Sequence, residues 1–136
     1  MAGWFRAGAS GIALAALGIS LTGCGGSQDN AAAETAEQFF HAVAHHEGAV
    51  ACDLLTPATR SELEQSSGTS CAQAIVEELE GPRRDGGEVQ VYGVMAQVRW
   101  PDGAVFLARM PDGWRVLAAG CTPHADDPYD CVVKGA

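Results

Sequence analysis

Positive charge is scarce in this chain: 8 Lys and Arg stand against 17 Asp and Glu in 136 residues. So acidic a chain is repelled by phosphate backbones, which argues against a nucleic-acid partner. It also lacks a polybasic patch that would hold it to anionic headgroups by charge alone. The uncharged apolar run over residues 7–23 is about 17 residues long, short of the roughly 20 that a membrane-spanning helix needs. Catalytic signatures are missing as well. There is no G-x-S-x-G elbow, no phosphate-cradling G-x-x-x-x-G-K and no H-E-x-x-H. The absence of any C-x-x-C pair argues against a zinc knuckle and a thioredoxin-like redox site. No catalytic residue, metal site or cofactor is assigned on these grounds.

What is present begins at the N-terminus. Arg6 supplies a positive start, the apolar run follows, and Leu21-Thr22-Gly23-Cys24 closes it. A positive n-region, a short apolar core and small residues at its end fit a secretory signal peptide. The closing tetrapeptide resembles the lipobox of bacterial lipoproteins, in which the chain is cut before a cysteine that carries diacylglyceryl and palmitate chains. The resemblance implies removal of residues 1–23, lipidation of Cys24, and a place on the extracytoplasmic face of the cell membrane. The mature formal charge is then 7 − 17 = −10, because Arg6 is the only charge lost. Acylation by at least two chains gives stable anchoring where one does not.

With Cys24 set aside, Cys52, Cys71, Cys121 and Cys131 remain. An even count outside the cytoplasm predicts disulfides, and four cysteines allow three pairings. Local pairing is expected, Cys52 with Cys71 and Cys121 with Cys131. Crossed bonds would need two separate long-range coincidences.

Residues 24–32, beginning with Cys24, are otherwise Gly, Ser, Gln, Asn and Ala with one acid and read as a flexible tether. A single domain over residues 33–136 follows. Ala36, Phe39, Phe40, Val43 and Ala44 recur at helical steps, predicting a helix over 34–46 that Gly48 breaks. A short apolar turn over 49–55 contains Cys52. Thr56-Pro57 caps and starts another turn to Glu64, with a loop over 65–69. Ser70 caps a helix to about Glu80, ended by Gly81-Pro82. From Glu88 the apolar period changes to two. Val89 and Val91 switch to Val94, Ala96, Val98 and Trp100 across Gly93, which predicts a bulge or tight bend. Two Pro-Asp-Gly turns, at 101–103 and 111–113, join the following runs into an antiparallel meander. Residues 121–131 read as a loop. Helices first and strands afterwards imply an α+β domain with helices packed on one face of a curved antiparallel sheet.

Several segments together carry a family resemblance. Ala51 to Arg60, Val91-Tyr92-Gly93, Phe106 to Arg109, Asp112 to Val116, Ala118 to Cys121 and Pro128 to Cys131 resemble a group of small actinobacterial lipoproteins. These in turn are similar to the NTF2-like (cystatin-like) α+β cone. The resemblance implies an NTF2-like architecture and a concave face on which Phe40, Tyr92, Phe106, Arg109 and Trp114, with Phe39, would line a ligand pocket. Helix-on-sheet core is the ordinary use of the same aromatics.

His41 and His45 stand four apart on one helix, the spacing of a two-histidine ligand pair, with His46 beside them. No third ligand follows at useful spacing, so a solvated face is the simpler account. Asp126, Asp127 and Asp130 offer oxygens but lack the glycine turn and bidentate glutamate of a calcium loop. Three functions stay open. The favoured one is a lipid-anchored accessory module that contacts an extracytoplasmic protein without catalysis. The others are a small-ligand-binding protein and an NTF2-like enzyme.

Overall fold

The computed structural model describes residues 25–126 and 128–135. Four helices precede a five-stranded antiparallel sheet of order β1-β2-β3-β4-β5, so every strand pairs with its sequence neighbour. The α+β expectation holds at this level.

Helix α1 spans Gly25–Ala44. It is longer than the sequence predicts, because residues 25–32, read as a tether, form its first turns. Composition misleads here because the segment is held by contact: Ala32 is buried and Gln28 meets Trp114. Ala36, Phe39, Phe40 and Val43 continue the buried stripe along the helix. The helix ends at Ala44, two residues before the expected His46, and its closing turn is made at His46, ahead of Gly48. His46 takes φ 57°, with Glu47 N–H donating to the Ala42 carbonyl (2.8 Å) and His46 N–H to that of Val43 (3.1 Å). This is a Schellman closure with histidine where glycine is usual.

Gly48 has another use. It opens α2, Gly48–Asp53, and a Cβ placed on it would lie 2.0 Å from the Ala72 carbonyl oxygen. Helix α4, Cys71–Glu78, crosses α2 at this point, and the Cys52–Cys71 disulfide ties the same two helices at a Cα separation of 6.1 Å. Gly48→Ala is therefore expected to push the two helices apart against their own covalent tie. The cost should be about 1–3 kcal/mol, the usual range for overpacking. Chemical denaturation of the variant beside wild type measures it, and an unchanged midpoint refutes the close-approach account.

Helix α3, Pro57–Ser67, starts as predicted. Thr56 caps it, its hydroxyl oxygen accepting from Thr59 N–H at 3.1 Å. It runs past Glu64 to Ser67 and ends on Gly68 at φ 70°. Ser70 caps α4 through Gln73 N–H at 3.4 Å. The fully buried Thr59 hydroxyl donates to the Leu117 carbonyl at 2.8 Å and accepts from the Thr56 hydroxyl at 2.8 Å, so a polar pair joins helix to sheet with no loose valence.

The strands are β1 Glu88–Tyr92, β2 Met95–Trp100, β3 Gly103–Met110, β4 Gly113–Thr122 and β5 Asp130–Val133. Gly93, at φ 60°, and Val94 form a two-residue hairpin between Tyr92 and Met95. The change of period at Gly93 is thus a chain reversal, and Val94 projects from the turn instead of facing the core. Pro101-Asp102 and Pro111-Asp112 make two further two-residue connections, with proline and glycine placed as a type I turn favours.

Strand β4 has 10 residues against 8 in β3. The excess is taken up by two register shifts, between the Ala104 and Phe106 pairings and between those of Phe106 and Leu107. Such bulges bend and twist a sheet. The segment read as a terminal loop supplies β5. Cys131 lies opposite Cys121 in register and is bonded to it, and Val133 is buried opposite Ala119. Local disulfide pairing is observed at both sites.

The main core lies between the helices and one face of the sheet, with Phe39, Ile75, Val98, Val105, Leu107 and Val116 fully buried. A smaller cluster of Ala104, Ala118 and Cys121 occupies the opposite face under Phe106 and Tyr129. The rings of Phe106 and Tyr129 meet edge to face at 5.0 Å, and Gln97 donates to the Tyr129 hydroxyl at 2.8 Å.

The outer edge of β4 is covered in two pieces. β5 pairs with Ala119–Thr122, and Thr56 N–H donates to the Val116 carbonyl (2.9 Å) while Val116 N–H donates to that of Leu54 (2.7 Å). Among the described residues, no strand pairs with the β1 edge.

At the sheet end that carries the 101–102 turn, Arg84 reaches the Asp102 carboxylate through both terminal nitrogens, at 2.5 and 2.8 Å. Its guanidinium lies over the rings of Phe40 and Trp100, 5.6 and 5.4 Å from their centroids. The hydrogen bond from Arg84 holds the Asp102 carboxyl below its usual range. A depressed folded pKa stabilises the native state above the unfolded value of about 3.9 and loses that contribution as pH falls through the folded value. Melting temperature should therefore be flat at neutral pH and fall below about pH 4. Asp102→Asn should lose less over that interval, by a small margin because the pair is exposed. Equal acid sensitivity in the two proteins would exclude this pair as a contributor.

Candidate functional site

The five residues expected to line a pocket are not brought together. Phe40 and Trp114 are buried in the helix–sheet core. Phe106 packs on the opposite face with Tyr129. Tyr92 is 62% exposed and Arg109 is exposed, both near the end of the sheet that carries the 93–94 turn. Phe39, also named for the pocket, is fully buried. The sequence marks all but Arg109 of these side chains as large and aromatic, but for those on strands the face each takes depends on register.

A concavity lies elsewhere, along the polar side of α1. Glu34, Glu37, Gln38 and His41 recur at three- and four-residue steps and form one wall. Glu47, Val50, Asp53 and Leu54 form the other, with Arg83 and Arg115 at the ends, around about 530 Å³. The helical spacing of the first wall is visible in the sequence. The second wall depends on the Schellman turn at His46, which swings α2 back beside α1.

The charges of this groove are partly engaged already. Arg115 donates to the Asp53 carbonyl and to the Asp112 carboxylate. The Arg115 hydrogen bond holds the Asp112 carboxyl below its ordinary range. Arg83 pairs with Asp85 at 3.2 Å, and a Glu37 carboxylate oxygen accepts from Gly86 N–H at 3.3 Å. Arg60 likewise pairs with Asp53 on the outer side, at 3.3 Å.

The histidines are explained by one another. The His41 and His45 rings stack at 4.1 Å, and His45 Nδ1 lies 2.8 Å from the His41 carbonyl oxygen. A carbonyl can only accept, so Nδ1 carries the proton there. Among the described residues, no three His, Cys, Asp or Glu side chains converge as metal ligands. Asp126, within the 123–129 connection, and Asp130, the first residue of β5, are exposed, and Asp127 lies outside the described residues.

Cys24 and the rest of residues 1–24 also lie outside the described residues. Among the described residues, no helix is long and apolar enough to cross a membrane. Comparison with known families, with curated proteins and with solved structures gives no match to this chain. The functional reading therefore stands on the chain's own chemistry.

Proposed function

We propose that this chain is a lipoprotein anchored through Cys24 to the outer face of the cell membrane, where it acts as an accessory module by contact with another protein and without catalysis. The observation that carries the reading is the separate fate of the five cysteines. Cys24 closes the signal-like apolar run, and the other four pair off completely in the domain that follows. Two disulfides belong in an oxidising compartment, and a lone fifth cysteine at the end of a signal peptide is where a lipid is attached. The order of helices followed by a bent antiparallel meander supports an NTF2-like (cystatin-like) assignment and the resemblance to small actinobacterial lipoproteins.

Growth with labelled palmitate tests the anchor: label is expected on the mature chain, and an unlabelled chain overturns it. Crosslinking in intact cells tests the contact. A discrete heavier species containing the chain is expected, and a chain that stays monomeric at every crosslinker concentration overturns that part.

A small-ligand reading gains support from the α1–α2 groove, whose volume of about 530 Å³ falls in the range of ligand sites. Its acidic walls suit a small amine. Thermal shifts with an amine panel, present in wild type and lost in Val50→Trp, are the expected result. No shift in wild type removes this reading.

A further inference from the structure

We propose that the tip of the β1–β2 hairpin, Tyr92 to Met95, rests on the same lipid surface that holds the Cys24 acyl chains, so that the domain stands on its membrane in one orientation. The inference rests on the anchor reading given above.

Among the described residues, large exposed apolar side chains are few. Tyr92 (62%), Val94 (59%) and Met95 (36%) fall within one hairpin, whereas Val50 and Val132 stand singly elsewhere. A cluster of this kind marks a contact surface more often than scattered single residues do. Tyrosine suits the boundary between water and lipid, with an apolar ring and a polar tip.

The position of the tip identifies the partner. Cys24 directly precedes Gly25, the first residue of α1. Gln28, less than one turn further on, accepts from Trp114 Nε1 at 3.2 Å. Trp114 lies opposite Arg109 in the β3–β4 pair, and Arg109 N–H donates to the Val94 carbonyl at 2.7 Å. The start of α1 and the hairpin tip therefore share one end of the sheet, about two strand spacings, roughly 10 Å, apart along the sheet, with α1 lying above its face. A lipid on Cys24 enters the domain at that end.

Charge favours the same orientation. The Arg109 side chain is exposed at this end, and no carboxylate pairs with it among the described residues. Asp112 beside it is neutralised by Arg115. The exposed Asp126 and Asp130 follow the far end of β4, at the opposite end of the sheet. An anionic headgroup surface disfavours that acidic end more than this one, where Arg109 offsets Asp29 in the first turns of α1. With the anchor already holding the chain, the tip's own weak affinity acts at high effective concentration and needs only to suppress rotation.

The test uses the full chain, lipidated in cells and reconstituted into vesicles of phosphatidylcholine and phosphatidylglycerol. An environment-sensitive fluorophore is placed at Val94→Cys or, as a control, at Val132→Cys, with both native disulfides verified by peptide mapping. A blue shift at 94, with loss of emission when brominated lipid is included and neither effect at 132, is expected. Equal, water-like emission at 94 and 132 on a chain that floats with the vesicles overturns the contact and leaves the anchor intact; it is also the result if the tip serves a protein partner. A chain recovered without acyl groups and free of the vesicles overturns the anchor and this inference together.

Discussion

Replacing Trp114 by alanine lowers the stability of the domain by about 3–5 kcal/mol, the range for truncating a buried aromatic. For a domain of this size that corresponds to roughly 10–20 °C in melting temperature. Trp114 opens β4, is 6% exposed, and lies in the main core. Its ring covers the sheet end under the first turns of α1, and its Nε1–H bonds Gln28. The substitution thus removes apolar contact and a hydrogen bond that fastens the start of α1 to the sheet. Gln28→Ala separates the two effects, since it removes only the bond and should cost about 1 kcal/mol. Thermal melts of the three proteins measure both. A Trp114→Ala midpoint within a degree or two of wild type would show that the ring contributes contact area to something other than this core. Reversion of residues 25–32 to coil in Trp114→Ala, seen as a loss of helical ellipticity, would show that these turns depend on that side chain.

Cys24→Ala is expected to change where the protein is found, with no change in the fold. In the proposed anchor the sulfur carries the diacylglyceryl group through a thioether, and neighbouring hydroxyls offer no substitute for it. The variant should appear as uncleaved precursor or as soluble protein outside the cell. Membrane fractionation with mass determination reads both outcomes. A variant that sediments with membranes at the mature mass would refute the anchor, because then something other than the lipid holds the chain. Melting temperatures of the wild-type and variant domains should coincide, since both disulfides lie in the domain that follows.

The sequence read alone determines a good deal of this protein. Thr56-Pro57 and Ser70 announce helix starts because a side-chain oxygen must satisfy orphan amides there, and both caps are in place. The Pro-Asp-Gly turns announce hairpins for an equally local reason, since proline fixes one dihedral and glycine frees another. Local pairing of the cysteines follows from short separations of 19 and 10 residues. Class follows from the change of period, because helical and extended chains bury different residues.

What failed was not local. The turns over 25–32 are polar and small, and nothing in their composition predicts a helix. Trp114 and the core around Ala32, distant in sequence, supply the contact that makes one. β5 is invisible for the same reason: four residues have no strand signal until a disulfide and the β4 edge hold them. The aromatic side chains were visible as such, but their faces were not. For those on strands, pairing register decides which side each takes, because a one-residue slip exchanges the faces, and β3 and β4 carry two register shifts around Phe106. The groove likewise needs the left-handed turn at His46, a conformation that histidine adopts only when the surrounding hydrogen bonds compensate for it. Patterns within a few residues belong to the sequence. Anything that depends on the energy of contacts between distant segments was settled only when those segments packed together.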